Sequence, residues 1–361
     1  MSRDHAGRTV RTLSGLALVA LVLSGCAVNE QGDAYSPLDG RIVSAGSSAQ
    51  SSAQEVWIAA FQRDNSRVTI DYEPSGSGAG REQFIAGGLT FAGSDAPLSE
   101  EELENDFVTC APGAKGIDLP VYVSPLALVF SIDGVDELRL DASTIARIFA
   151  NEITTWDDPA IAALNPDAAL PTAPVTAVHR SDSSGTTKNF TDYLHQNVPE
   201  IWPHEPEDEF PVSGGEAAQG NSGVVGAVSG GNNIIGYVDA SRAGDLDAAS
   251  LQVGDAFVDF SPEAAAAIID ASPLVERSNP HDIVVDIDRT STAEGVYPLV
   301  LVSYLIACEE YADANDAEIV KAYFGYIASD EGQAESAMAA GSAPLSAEFS
   351  ARITAAIDSI R

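Results

Sequence analysis

Ser75-Gly76-Ser77-Gly78-Ala79-Gly80-Arg81-Glu82-Gln83-Phe84-Ile85 follows a stretch in which Val68, Ile70 and Tyr72 alternate with other residues. The alternation has the period of a strand, the small residues read as a loop, and Arg81 opens a helix. The same order recurs on both sides. Arg41-Ile42-Val43 leads through Ala45-Gly46-Ser47-Ser48-Ala49 to Val56, Trp57, Ala60 and Phe61 at helical spacing, with Ser52 and Glu55 in capping-box register. Val175-Thr176-Ala177-Val178 leads through His179-Arg180-Ser181-Asp182-Ser183-Ser184-Gly185-Thr186 to a helix from about Thr187 through Phe190 and Leu194. Strands alternating with helices predict an α/β fold with largely parallel sheets.

The three loops share a chemistry. The first turn of a helix carries N–H groups without intrahelical partners, and the aligned peptide dipoles add partial positive charge there. Ser and Thr add hydroxyls, and Gly lets a ligand approach the backbone. Such helix starts hold anions. A turn with no ligand is the alternative reading of any one of them, and the pattern alone does not place the three around a common point.

The whole-chain charge runs the other way. The 361 residues include 54 Asp plus Glu against 18 Lys plus Arg, a formal net charge of −36. Nucleic acid and anionic membrane are excluded as partners held by bulk charge, because both need a basic footprint. The acids are dispersed among Leu, Ile, Val and Ala, the pattern of a solvated surface. A hydrophobic content of 45% supplies real cores, and the length allows two or three globular units.

Residues 1–25 read as a targeting segment. Arg3, Arg8 and Arg11 precede an apolar run over residues 13–23, shorter than the roughly 20 residues that span a bilayer. Leu23-Ser24-Gly25-Cys26 looks like a bacterial lipobox, which implies cleavage before Cys26 and lipid on its sulfur; an ordinary secretory signal with an incidental cysteine is the alternative. Residues 26–39 are polar and read as a tether. Cys110 and Cys308 then remain as a pair in an oxidising compartment and are expected to form a disulfide, two separate buried thiols being the alternative. Neither lies in a CxxC.

Taken with Phe91-Ala92-Gly93-Ser94-Asp95-Ala96-Pro97-Leu98-Ser99, Trp156-Asp157-Asp158-Pro159-Ala160-Ile161, Asn165-Pro166 and Ile235-Gly236-Tyr237-Val238, these loops resemble the high-affinity phosphate-binding proteins of bacterial ABC importers. The resemblance runs from about residue 41 to the C-terminus and thins after about residue 240. It implies an α/β, two-lobed, periplasmic-binding-protein-like (type II) clamp with a hinge. The first lobe would comprise residues 40–128 and 295–361 and the second residues 129–294, with crossings near 127–131 and 290–297. The implied ligand set is Ser48, the Ala49 backbone, Ser77, Asp95, Arg180, Ser184, Gly185 and Thr186, with Asp182 orienting Arg180. Ala49 stands where the family usually has Phe. Ser47 replaces the usual Ala beside Ser48, so the two serines share that assignment. The implied partners are inorganic phosphate and the permease subunits of an ABC importer. The protein would be monomeric and extracytoplasmic, anchored to the outer face of the membrane through Cys26. No cofactor, metal, nucleic acid or catalysis is implied.

The residue types fit this, although a surface cation is the alternative for Arg180 and, outside its motif, Asp95 would read as one more surface acid. Arg180 offers a planar fork of donors suited to two phosphate oxygens. Asp95 would repel an anion, yet phosphate near neutral pH keeps a proton that a carboxylate can accept. Sulfate has none, so a dehydrated Asp95 would face it lone pair to lone pair. Specificity for sulfate or molybdate is therefore the second reading, and a secreted phosphoester hydrolase the third. Ser184 and His179 share one loop, but no G-x-S-x-G elbow supports a hydrolase. Neither a Walker A loop nor a G-x-G-x-x-G fingerprint is present, and His195, His204 and His281 lack HExxH spacing. Residues 296–307, interrupted by Pro298, are expected as a core strand–helix segment returning to the first lobe.

Overall fold

The computed structural model describes residues 36–343 and 345–361. The expected signal, Cys26 and the tether up to residue 35 lie outside the described residues. Strand β1 (Gly40–Gly46) is followed by α1 (Ser51–Asp64), β2 (Val68–Glu73), α2 (Ser77–Ile85), β3 (Phe91–Ser94) and the short α3 (Glu100–Glu104). The 16-residue β4 (Gly116–Ser131) leads to β5 (Arg139–Leu140), α4 (Ala142–Phe149) and α5 (Pro159–Leu164). Then come β6 (Thr176–Arg180), α6 (Gly185–Asn197), β7 (Glu216–Ala218), α7 (Gly220–Gly230) and β8 (Ile234–Asp239). Short strands β9 (Asp247–Ala248), β10 (Ser250–Val253) and β11 (Ala256–Val258) precede α8 (Pro262–Ala271), β12 (Val300–Cys308), α9 (Ala314–Ile327), α10 (Asp330–Ala340) and α11 (Ala347–Ser359).

The main sheet has the order β2-β1-β3-β12-β4-β8-β6-β7, with β9 beside β4, and β11-β10-β5 form a second small sheet. Its flanks are parallel, β2-β1-β3 at one end and β8-β6-β7 at the other. Its centre is not: β12 runs antiparallel to β3 and β4, and β4 antiparallel to β8. The expectation of largely parallel sheets therefore holds only for the strands joined through helices. β4 and β12 need no such crossover helix, so their direction was not constrained by it.

β4 is the element that both lobes share. Residues 116–125 pair with β12, and residues 126–131 pair with β8. The change of partner falls at Pro125, which has no N–H to give a ladder. The fold is thus the expected α/β two-lobed clamp, one lobe built on β1–β3 and β12 and the other on β6–β8. Ile283 donates to the Asp118 carbonyl (2.9 Å) and Asp282 accepts the Asp118 N–H (2.9 Å), so this part of the stretch assigned to the second lobe lies against the first-lobe half of β4.

Several local expectations change. Residues 300–308 form strand alone, not strand then helix; Pro298 stops before the ladder and the run Val-Leu-Val-Ser-Tyr-Leu-Ile-Ala-Cys is buried throughout. α2 begins at Ser77, four residues earlier than read, because its glycines serve close packing rather than a loop. A β-carbon at Gly80 would meet Gly46 Cα at 2.6 Å. α6 begins at Gly185, so Gly185 and Thr186 are first-turn residues. α1 enters through Gln50, and Ser52 already lies inside its first turn, so the Ser52–Glu55 capping box does not form. Ser47 Oγ instead accepts the Ala49 and Gln50 N–H groups (3.0 and 3.3 Å), and Ser52 Oγ accepts from Arg242 (3.2 Å). A capping box does form at Ser99 and Glu102 of α3.

The Cys110–Cys308 disulfide is formed as expected, tying the loop after α3 to the end of β12 across a sequence separation of 198. By chain entropy such a link removes about 5 kcal/mol of unfolded-state freedom. The Cys110→Ala/Cys308→Ala variant should lose up to that amount of unfolding free energy and so unfold at a lower denaturant concentration. An unchanged midpoint in equilibrium unfolding would show that the bridge leaves the unfolded chain unconstrained.

Candidate functional site

β1, β2, β3, β6, β7 and β8 all direct their C-terminal ends to one crevice, the place where open α/β sheets hold ligands. β1 and β2 deliver the starts of α1 and α2, and β3 delivers Asp95. β6 and β7 deliver the starts of α6 and α7, and β8 ends at Asp239.

The two lobes meet there. A β-carbon on Gly185 would lie 2.8 Å from Ser77 Oγ and 2.9 Å from Asp95, so only glycine fits between the α2 start and Asp95. Gly78 N–H donates to the Ser183 carbonyl across the same gap (3.2 Å). Ser77, Asp95, Arg180, Ser184, Gly185 and Thr186 are all buried and brought together at this seam.

Asp95 is the centre of the network. Its Oδ1 accepts from Ser47 and from Ser303 Oγ (2.6 Å), and its Oδ2 from Thr186 Oγ1 (2.9 Å) in the other lobe. Arg180 Nη1 donates to Thr186 Oγ1 (3.2 Å), and the Asp95 N–H donates to Ser77 Oγ (3.1 Å). Burial drives the Asp95 carboxyl upward, and the hydroxyls of Ser303, Ser47 and Thr186 with the Arg180 charge only partly offset it, leaving it above the ordinary aspartate range.

Arg180 is held as a fork. Its Nε and Nη2 donate to the two Asp182 oxygens (2.8 and 2.5 Å), and Gly220 N–H adds a third bond to Asp182 (2.9 Å). Burial opposes the Asp182 charge, but the Arg180 bonds and charge prevail and hold its carboxyl below the usual range. The Arg180 edge that does not face Asp182 is left toward Thr186 and the seam.

Ser48 lies at the other rim, where its Oγ accepts both the backbone N–H (3.2 Å) and the side-chain amide (3.0 Å) of Asn221 from α7. Ser184 Oγ accepts the Thr187 N–H (3.2 Å) as the N-cap of α6. Each hydroxyl retains its proton to donate. The Ala49 N–H points to Ser47 Oγ, not outward, and Ser47 joins Asp95 directly. Of the two serines that share the first helix start, Ser47 thus serves the carboxylate and Ser48 the cross-lobe contact.

Sequence reading missed Asn221, Ser303, Asn189 and Asp239. Asn221 had a signal: β7 followed by Gln219-Gly220-Asn221-Ser222-Gly223 is a fourth instance of the strand, small-residue loop and helix order. Ser303 had none, because a register irregularity between Ser303 and Tyr304 sets its direction. Asp239 is buried, accepts from Tyr122 (3.1 Å) and the Ser241 N–H (2.9 Å), and its Oδ2 has no partner among the described residues. Its N–H donates to Asn221 Oδ1 (2.9 Å), which places it directly behind the Asn221–Ser48 contact.

The PBP superfamily domain matches residues 31–331. The phosphate-binding protein PstS2 of Mycobacterium bovis (strain BCG / Pasteur 1173P2) is 33% identical over 98% of this chain and 99% of its own length. The chain belongs to the PstS family of the PBP superfamily. A second PstS relative, the phosphate-binding protein PstS 3 of Mycobacterium leprae (strain TN), is 32% identical over 96% of this chain and 97% of its own length. In fold, the phosphate-bound periplasmic protein PfluDING matches with a TM-score of 0.71 at 23% identity, covering 88% of this chain and 93% of that one. The two-lobed architecture described above is therefore that of the PstS family. Among the described residues no helix is long and apolar enough to cross a membrane.

Burial pushes the Asp239 carboxyl up to about 7, despite the hydrogen bonds from Ser241. A raised carboxyl disfavours its ionised form in the fold, so the stability it contributes is present below the ordinary aspartate pKa near 4 and is lost as pH rises toward 7. Asp239→Asn should accordingly melt above the parent at pH 8 and approach it at pH 4. Melting curves with a pH-independent difference would contradict this.

Proposed function

We propose that this chain is an extracytoplasmic phosphate-binding protein that captures inorganic phosphate between its lobes and delivers it to the permease of an ABC importer, without covalent chemistry. The single observation that carries the reading is the buried Asp95 carboxylate set among hydroxyl donors at a seam that also holds the Arg180 fork. An anion site with a carboxylate at its centre suits an anion that brings its own proton. The PstS relatives, named as phosphate-binding proteins, support the same ligand.

In the proposed mode Arg180, oriented by Asp182, donates to phosphate oxygens. Ser48, Ser77 and Ser184 add hydroxyls, Thr186 keeps its hydroxyl on Asp95, and the starts of α1, α2 and α6, the last including Gly185 and Thr186, add N–H groups and dipole. Asp95 accepts the phosphate proton. Because ligand groups come from both lobes, phosphate binds the closed arrangement better than an open one and shifts the clamp toward it. The lobes comprise roughly residues 40–128 with 295–361 and residues 129–294, and Cys26 would carry the lipid that keeps the protein near its permease. A hydrolase is disfavoured by His179, whose ring nitrogens lie against the Arg180 and Gly214 carbonyls (2.9 and 3.1 Å) and so do not serve Ser184.

Calorimetry with the two anions tests the assignment. Arg180→Ala should weaken phosphate about 100-fold, since charge-assisted hydrogen bonds contribute about 1.5–3 kcal/mol each; parental affinity would remove Arg180 from the ligand set. Asp95→Asn should lower the phosphate-to-sulfate affinity ratio at least about 10-fold, because the penalty of an unpaired buried acceptor disappears for sulfate. An unchanged ratio would refute the role given to Asp95.

A further inference from the structure

A second network lies behind the seam, built on Asn189 and Arg289, neither of which bonds to the Arg180 side chain or to the hydroxyls around Asp95. Asn189, one turn into α6 and buried, donates its amide to the carbonyl of Asp95 (2.6 Å) in one lobe and to the carbonyl of Gly185 (2.8 Å) in the other. The Asn189 oxygen in turn accepts from Arg289 Nη2. Arg289, buried on the segment that runs into β12, donates Nη1 to the Val300 carbonyl (2.9 Å) and Nε to Asp192 of α6 (2.5 Å). β12 carries Ser303, which returns to the Asp95 side chain (2.6 Å). The bonds form a closed circuit from Asp95 through Asn189, Arg289 and β12 back to Asp95.

We propose that Asn189 and Arg289 are positioning residues that retain phosphate, by fastening the Asp95 and Gly185 backbones to each other and to the connection between the lobes in the closed arrangement. The inference rests on the phosphate-binding reading above. Asn189 is the side chain in the circuit that spans two ligand-bearing backbones with one group, since a primary amide has two N–H bonds: one is held by the Gly185 carbonyl of its own helix and the other crosses the seam to the Asp95 carbonyl. Arg289 fixes that amide: with its oxygen bonded to a guanidinium, the NH₂ must face the two carbonyls. Asp192 neutralises Arg289, so the cation is not left unpaired in the interior. Asp95, Asn189, Asp192 and Arg289 also line one cavity of about 250 Å³, so loosening the circuit would let water reach Asp95 from that side.

The circuit exists only when the lobes are together, so it acts on release rather than on capture. Filter retention of radiolabelled phosphate, with an unlabelled chase for dissociation and a time course for association, reads the two rates separately. Asn189→Ser, too short to reach both carbonyls, and Arg289→Lys, which keeps the charge but not the fork, should each release phosphate at least 10-fold faster with association within about twofold of the parent. The double variant should release no faster than the quicker single one, because both break one circuit. Asp192→Asn, a partly exposed position on α6 whose amide oxygen can still accept from Arg289 Nε, should speed release about threefold, its folding checked by circular dichroism. Parental release rates in folded Asn189→Ser and Arg289→Lys, or in Asp192→Asn should those two not fold, would overturn the proposal. A purely structural role would instead lower the fraction of active protein while the survivors released at the parental rate. A parent that retains no phosphate would sink the functional reading itself, a different result from variants that behave as the parent does.

Discussion

The Asp95 carboxylate, stripped of water and served by hydroxyls from both lobes, is the contact on which the rest of the structure depends. Burying a carboxylate is costly unless hydrogen bonds replace its water. Ser47, Ser303 and Thr186 supply them, the last from across the seam, so closing the lobes is part of solvating this charge. Because burial still leaves the carboxyl above the ordinary aspartate range, it remains an avid acceptor. In the proposed mode such a group would discriminate by protonation rather than by charge: a proton-bearing oxyanion would complete its shell and a fully deprotonated one would not.

The fold makes that contact possible through strand polarity. Parallel flanks aim the ends of β1, β2, β3, β6, β7 and β8 into one crevice, while the antiparallel pair β4–β12 runs through the middle and ties the flanks together. β4 changes partner at Pro125 and thereby belongs to both lobes. β12 does two further things, presenting Ser303 through its register irregularity and ending at the disulfide to Cys110. The same strand thus fixes the acceptor at the centre of the site and anchors the periphery of its lobe.

How much of this was readable from sequence follows from the range of each interaction. The Gly- and Ser-rich loops were legible because anion-binding helix starts are local, and Arg180 with Asp182 sit two residues apart. Their exact helix boundaries were not. Gly78, Gly80 and Gly185 look like loop residues, and only the neighbours they must clear show why helices carry them. Asp95 could be singled out from its motif, but its partners Ser47 and Ser303 lie 48 and 208 residues away, and nothing in a lone serine announces such a partner. Asn189 and Arg289, 100 residues apart, read as an ordinary helix amide and a loop cation until the chain is folded. Strand direction at the centre was equally hidden, since the helical crossovers that betray parallel pairing are missing there.

The acidic surface bears on how such a site must reach its affinity. A formal charge of −36 sets a repulsive field for any anion, so electrostatic steering cannot supply a fast arrival. At physiological ionic strength that field fades within about 8 Å, whereas the seam is dry and its local dipoles act at bonding distance. Binding strength must then lie in slow release, and release requires parting the lobes. Each bond that crosses the seam, from Thr186 to Asp95, from Asn221 to Ser48 and from Asn189 to the Asp95 carbonyl, opposes that motion without touching the ligand's charge. A protein with this surface can hold an anion tightly only if enclosure does the work that attraction at a distance cannot.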